Sequence, residues 1–338
     1  MSNNLLHISF PINMFSSYRA ELMGVAIFGV LWGHIMNETW QPVLLSQLAR
    51  LVHTAGFIFL SGFGLFYAYS KSSSLLSFYR RRITRLVIPF ILLTYWFFMA
   101  ALFTGVDSIP KFIANISAIA FWIYGEAHSW AMWYVSVTLL LSLMFPLFYS
   151  LIFRQRKRPV LYLILLIGIY LVFIGSIYHF FPTYWVNTEI GWTRVIIFLL
   201  GMYAGYLAQN NKELNLIQII IYFLCCTLIA IVCKLWINDN LYAIMRTLIG
   251  MPIILILFTV ISNHKLCKNF ILIPLAFLGK HSYELYLLHV MFFYFMRDIT
   301  HIRADFSMII GITLALLLCY PTHVGIDKII KTANNSTL

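Results

Sequence analysis

Ten apolar runs, each long enough to cross a bilayer, decide what this chain can fold into. They lie at about 18–36, 48–69, 86–104, 131–152, 159–180, 191–208, 216–235, 241–262, 274–296 and 307–326, and a spanning helix needs roughly 17–25 mostly apolar residues. A composition that is 62% hydrophobic and 10% charged excludes a water-soluble globule, whose shares run near 45–50% and 25%. Disordered, coiled-coil and disulfide-scaffold classes fall out with it. The expected fold is all-α: a polytopic membrane protein of about ten transmembrane helices. The ninth run holds Lys280 near its start and is the weakest. The stretch 112–124 is apolar but short, and reads as an external re-entrant or interfacial segment.

The formal net charge of +12 would point to nucleic acid in a soluble protein. Here it reads as loop charge. With the N-terminus cytoplasmic, the inner loops hold Lys71, Arg80, Arg81, Arg82, Arg85, Arg154, Arg156, Lys157, Arg158, Lys212, Lys265, Lys268, Lys328 and Lys331. The outer segments hold Lys111, Lys234, Arg297 and Arg303 among seven acidic residues, Glu38, Asp107, Glu126, Glu189, Asp239, Asp298 and Asp305. That asymmetry follows the positive-inside rule and places both termini in the cytoplasm. No nucleic-acid partner is expected; membrane lipids are.

Five cysteines show no CxxC and no Cys/His metal spacing, so no metal site is expected. Cys225 and Cys226 are adjacent, Cys267 lies in an inner loop, and Cys233 and Cys319 read as packing residues. The N-terminus begins Met1-Ser-Asn-Asn without a basic n-region, and no cleaved signal peptide is expected. No repeat, linker or low-complexity tract divides the chain. Residues 1–338 are read as a single membrane domain with no fused soluble domain.

Ionisable side chains within a span are costly to insert, and therefore mark functional candidates. They are Arg19, Glu21, His34, His53, Arg194, Arg246, Glu284 and His289. Arg19 and His34 lie fifteen residues apart on the first span, or about 22 Å along a helix. Arg19 is thus at the inner edge and His34 in the outer half. Gly33 would let another group approach the backbone beside His34. Glu38 follows one turn later, placed to orient the imidazole. On these residues alone, a functional histidine and one merely bonded to a neighbouring helix are both open.

Two further clusters stand out. Arg80, Arg81, Arg82 and Arg85 sit at an inner boundary, where planar guanidinium donors suit phosphate oxygens; Arg82 and Arg85, three apart, share a helical face. Plain topogenic charge is the competing reading, and Arg154–Arg158 is assigned to topology alone. Ser282, Tyr286 and His289 fall at i, i+4 and i+7 and line one stripe of a helix, which should face protein or a wet cavity. Interhelical hydrogen bonding is the plainer account. The run Gly279-Lys280-His281 lacks the spacing of a phosphate loop, and GxSxG and GxGxxG motifs are missing.

In this order the segments resemble the acyltransferase family 3 membrane proteins, whose members O-acetylate surface sugars. Arg19 to His34 resembles the first-span signature of that family. His53-Thr-Ala-Gly-Phe57 through Ser61-Gly62-Phe63 resembles its second-span run, and Arg82-Ile-Thr-Arg85 with Pro89 its Arg-x-x-Arg segment. Trp133-Tyr134-Val135 resembles the start of a later span, and Ser282 to His289 the Ser-Tyr-x-x-Tyr-Leu-x-His run. The chain departs at Ala131, where members often carry histidine; His128 is nearby but offset.

The resemblance implies a multi-pass protein of a bacterial inner membrane that moves an acyl group, most often acetyl, from cytoplasmic acyl-CoA to a hydroxyl of an extracytoplasmic or lipid-linked sugar. Acyl-CoA would be a co-substrate, with no permanently bound cofactor. His34 would take the hydroxyl proton or carry the acyl group, with Glu38 orienting it. Arg19, Arg82 and Arg85 would bind the CoA phosphates. His53, Ser61, Tyr134, Ser282, Tyr286 and His289 would line the passage. Two rival readings are a transporter or flippase of a lipid-linked or anionic sugar, and a relay that hands acyl groups to a separate transferase.

Overall fold

The computed structural model describes residues 9–39, 53–71, 74–125, 132–154, 157–236 and 268–335. The expected eighth span at 241–262, with Arg246, lies outside the described residues. So do Lys265, Cys267, His128 and Ala131, and the side chains of Glu38 and His53.

The fold is all-α. Its helices are α1 (Met14–Ser17), α2 (Arg19–Thr39), α3 (His53–Ser70), α4 (Leu75–Phe103), α5 (Ile109–Ile116), α6 (Ala120–Tyr124), α7 (Met132–Ile152), α8 (Pro159–Phe180), α9 (Pro182–Gln209), α10 (Leu216–Trp236), α11 (Ile273–Lys280), α12 (Ser282–Tyr294) and α13 (Ala304–Asn335). A short antiparallel ribbon pairs β1 (Ser9–Pro11) with β2 (Glu213–Asn215), with Phe10 opposite Leu214. Among the described residues six helical segments are long and apolar enough to cross a membrane: Arg19–Met36, Leu75–Phe103, Met132–Ile152, Pro159–Phe180, Pro182–Gln209 and Ala304–Thr332. Each coincides with an expected run.

Helix boundaries differ from the hydropathy reading in several places, and three of the differences have a local reason. α4 starts at Leu75 rather than 86. Ser74 and Ser77 close a reciprocal capping box, Ser77 N–H donating to Ser74 Oγ at 3.1 Å and Ser74 N–H to Ser77 Oγ at 3.3 Å. Those bonds satisfy amides that would otherwise be orphaned at the helix start. The four arginines therefore ride on the helix itself. α9 starts at Pro182 rather than 191, proline's fixed φ and missing N–H suiting a first helical position. The ninth run is not one helix. α11 ends at Lys280, His281 leaves helical geometry at φ −106°, ψ 16°, and α12 resumes at Ser282.

The stretch 112–124 falls in two short helices, α5 and α6, separated by Ala118 at φ 57°. Asn115 Nδ2 donates to the buried Asp107 carboxylate at 3.0 Å, with Lys111 Nζ 3.7 Å from the same group. Ile109, Ile113, Ile119 and Ile123 remain exposed. Neither helix is long enough to cross a bilayer.

The chain divides into two compact units. The first takes Met1–Val30, Gln47–Lys71 and Met144–Gly279; the second takes Leu31–Ser46, Ser72–Leu143 and Lys280–Leu338. Within the first, α9 packs on α3 through glycines. A Cβ at Gly62 would collide with the Phe198 carbonyl, and one at Gly201 with the Phe59 carbonyl. One at Gly205 would stand 3.0 Å from the Phe63 carbonyl oxygen. Gly201 and Gly205 form the small-xxx-small spacing that lets two membrane helices touch backbone to backbone. The same device joins α2 to α11, with Gly24 against the Leu275 carbonyl and Gly279 against that of Ala20. Aromatic pairs complete this core: Phe15 on Phe59 at 5.2 Å and Phe66 on Phe153 at 5.0 Å. α8 leaves Ile164, Leu165, Ile169 and Val172 outward-facing, as suits a helix against lipid.

Within the second unit, α12 packs on α13 and on α4. Leu285, Leu287, Leu288, Val290 and Phe293 of α12 are all buried. Gly311 of α13 sits on the middle of α12: a Cβ there would stand 2.9 Å from Phe293 N and 3.0 Å from the His289 carbonyl oxygen.

Candidate functional site

The second unit assembles the polar side chains that hydropathy had flagged separately. α12 begins at Ser282, so Ser282, Tyr286 and His289 share one stripe as their spacing predicts, and all three are buried. His289 Nδ1 lies 2.7 Å from the Leu285 carbonyl oxygen one turn earlier. A carbonyl only accepts, so Nδ1 carries the hydrogen. In a neutral imidazole the lone pair is then on Nε2. That nitrogen is fully buried and, among the described residues, has no hydrogen-bond partner. An unsatisfied buried acceptor is uncommon enough to require an explanation.

Its nearest aromatic neighbours provide one. The His34 ring lies 5.4 Å from the His289 ring, centroid to centroid, at 56°. Tyr286 stands edge-on to His289 at 5.8 Å, and Tyr134 of α7 packs on Tyr286 at 4.8 Å. Four of the residues expected at the site, His34, His289, Tyr286 and Tyr134, thus form one continuous cluster.

His34 is half-buried on the last turns of α2. A Cβ at Gly33 would meet no atom within 4 Å. Among the described residues, the space that a side chain at Gly33 would fill is therefore open. Glu38 sits one turn on in the same helix. The neighbour the structure gives His34 is His289, 255 residues away in sequence.

The arginines occupy the start of α4. Arg80, Arg81 and Arg85 are exposed and Arg82 is half-buried. Immediately after Arg85, the Leu86 carbonyl accepts a 2.8 Å hydrogen bond from the Tyr283 hydroxyl of α12. α4 and the first turn of α12 are thereby tied together. Arg19 and Ser61 belong to the first unit. Ser61 is half-buried on α3. Arg19 is exposed, with its guanidinium against Gly64 of the same helix; a Cβ there would stand 2.8 Å from Arg19 Nη2.

One group escaped the sequence reading. Glu284 was a suspect without a partner; the structure supplies His323 of α13, whose Nδ1 is 2.7 Å from Glu284 Oε1. His323 Nε2 lies 3.8 Å from Asp327 Oδ2 one turn further along. The His281 ring stands edge-on to His323 at 5.0 Å. The available signal was the His323/Asp327 pair at i, i+4, but nothing local connects either residue to position 284.

No curated protein and no solved structure matches the chain. A family model described as an acyltransferase domain matches residues 22–324, from the first membrane helix to the last. Arg19 falls just before the matched stretch, whereas His34, the α4 arginines and the α12 histidine lie inside it. A match over nearly the whole chain, on an all-α membrane architecture, establishes that this protein belongs to acyltransferase family 3.

Proposed function

We propose that the protein transfers an acyl group, acetyl by preference, from cytoplasmic acyl-CoA to a hydroxyl of an extracytoplasmic or lipid-linked sugar of a surface polysaccharide, in a bacterial inner membrane. The observation that carries this reading is the His34–His289 pair. Acyl transfer from a thioester to an alcohol needs a base at the hydroxyl, because a neutral alcohol is a poor nucleophile. His34, half-buried on the last turns of α2, is the group a substrate would reach. His289 is held as the acceptor tautomer behind it. An N–H of His34 donated to His289 Nε2 during the reaction would leave the other His34 nitrogen to take a proton.

The balance is simple. The sugar oxygen bonds to the thioester carbonyl carbon while its proton passes to His34. The carbon–sulfur bond then breaks, and the CoA thiolate leaves with that proton as free thiol. Tyr286 and Tyr134 adjoin the pair and would offer hydroxyl donors to the carbonyl oxygen as it gains charge. Glu38, one turn beyond His34, would help to orient its imidazole, and His289 would support it from α12.

CoA presents phosphates, and the N-terminal turns of α4 present four arginines. Arg82 and Arg85 would hold those phosphates at the inner face. Ser282, on the stripe of Tyr286 and His289, would border the path of the acyl chain. Both termini are placed in the cytoplasm on the distribution of basic residues.

The test is CoA-thiol release by purified protein in lipid nanodiscs, given acetyl-CoA and a soluble sugar acceptor. Thiol should appear in step with acetylated sugar. Uptake or movement of acetyl-CoA without thiol would instead identify a carrier. Arg82→Ala combined with Arg85→Ala should raise KM for acetyl-CoA about tenfold or more, since hydrogen bonds to charged groups contribute about 1.5–3 kcal/mol each. Little change in kcat should accompany it. An unchanged KM would assign these arginines to topology alone.

A further inference from the structure

Three consecutive residues at the start of α12 are each committed to a different partner. The Tyr283 hydroxyl bonds the Leu86 carbonyl of α4, the Glu284 carboxylate bonds His323 of α13, and the Leu285 carbonyl receives Nδ1–H of His289. The middle bond is the costly one. Glu284 is about 5% exposed, and buried Leu285, Leu287 and Leu288 follow it on the helix. A carboxylate in such a place is retained only with a close, well-aligned partner. His323 supplies it, with Asp327 and His281 beside it. Among the described residues no three His, Cys, Asp or Glu side chains are arranged to hold a metal ion, so this is a chain of pairwise contacts and not a coordination sphere.

The position of that pair gives it a consequence. It fixes the turn immediately before the carbonyl that sets the His289 tautomer. If the turn slips or frays, the Leu285 carbonyl no longer faces Nδ1, and the proton is free to sit on Nε2. Nε2 would then be a donor, and the acceptor beside the His34 ring would be lost. From the other side, Gly311 lets the α13 backbone press on the His289 carbonyl. α13 therefore meets this part of α12 at two points, at Glu284 and at the His289 backbone.

We propose that Glu284 and His323 are positioning residues: by pinning the first turn of α12 to α13, they keep His289 in the Nδ1–H tautomer and so leave Nε2 bare in the cluster that holds His34. This inference rests on the reading of His34 and His289 as the reacting pair, but its primary test does not need turnover.

The experiment uses the full-length protein in nanodiscs, labelled with 15N-histidine. The His289 resonances are assigned by their loss in His289→Gln. In the wild type Nδ1 should be protonated and Nε2 bare. In Glu284→Leu and in His323→Asn the signals should move to a mixture of tautomers, while Glu284→Gln, which keeps an acceptor oxygen, should retain the wild-type pattern. In acyl transfer the two disruptive variants should lose about 10²-fold in kcat, as expected when a reacting group is misplaced, with KM for acetyl-CoA unchanged. A purely structural pair would lower the melting temperature and leave both the tautomer and the kcat of the folded fraction alone. That result, or a wild-type tautomer pattern in both disruptive variants, overturns the proposal. Should Glu284→Leu fail to fold, His323→Asn carries the test, since His323 is half-exposed and its truncation creates no sealed cavity. If the wild type turns over no acetyl-CoA, the proposed reaction fails while the tautomer spectrum still decides the role of the pair.

Discussion

Replacing His34 by alanine should lower acyl transfer by about 10²–10⁴-fold, the usual contribution of a positioned general base, with the melting temperature nearly unchanged. The side chain is only half-buried, so its removal should cost little packing. His289→Gln should cost nearly as much, for a different reason. Glutamine fills most of the imidazole volume, yet it does not reproduce a ring whose one nitrogen is tied to the Leu285 carbonyl and whose other is bare. The double variant should be scarcely worse than His34→Ala alone, because residues acting as one unit give strongly non-additive losses. Initial rates of acetylated sugar formation at saturating acetyl-CoA check all three. Full additivity of the two losses would mean that the rings act independently; wild-type activity in His34→Ala would remove the base from the scheme.

The largest effect on the fold is expected at Gly201. A Cβ there collides with the carbonyl of Phe59, and a backbone atom in mid-helix cannot swing aside as the end of a side chain can. Gly201→Val should therefore force α9 off α3, at a cost of about 3 kcal/mol, the upper end of the usual overpacking range. It should be read as a marked fall in melting temperature and a loss of monodisperse protein in detergent. Gly62→Val, against the Phe198 carbonyl from the opposite helix, should behave alike. Gly168 on α8 is the control, since a Cβ there meets nothing within 4 Å. Gly168→Ala should leave stability unchanged or raise it by about 0.5–1 kcal/mol, the ordinary preference for alanine in a helix interior. Equal effects at Gly201 and Gly168 would contradict the backbone-to-backbone crossing of α3 and α9.

Much of the site could be read residue by residue before any fold was known. His34 and His289 stand out because an ionisable side chain inside an apolar run is costly there. The Ser282–Tyr286–His289 stripe follows from helical spacing. Glu284 was visible on the same ground, but its partner was not: His323 lies 39 positions on, in another helix, and no periodicity links the two. The boundary at Ser74 was missed because hydropathy weighs the arginines against a helix, whereas the capping box determines where the helix starts. The ninth run was misread as one span because its apolar content continues through His281, where the backbone turns.

The sequence by itself determined the solvent in which this protein folds, the stretches that become helices and the short set of polar side chains with a reason to be there. Those are consequences of local cost: burying a charge or leaving a backbone amide unpaired in hydrocarbon is expensive wherever it occurs. Only the tertiary structure decided which glycines are crossings and which face open space, that His34 meets His289, and that His323 answers Glu284. These depend on the rotation and register of one helix against another. In a bilayer nearly every face of these helices is apolar, so hydropathy scarcely distinguishes one rotation from the next. Close packing of small residues and a few buried hydrogen bonds make the choice.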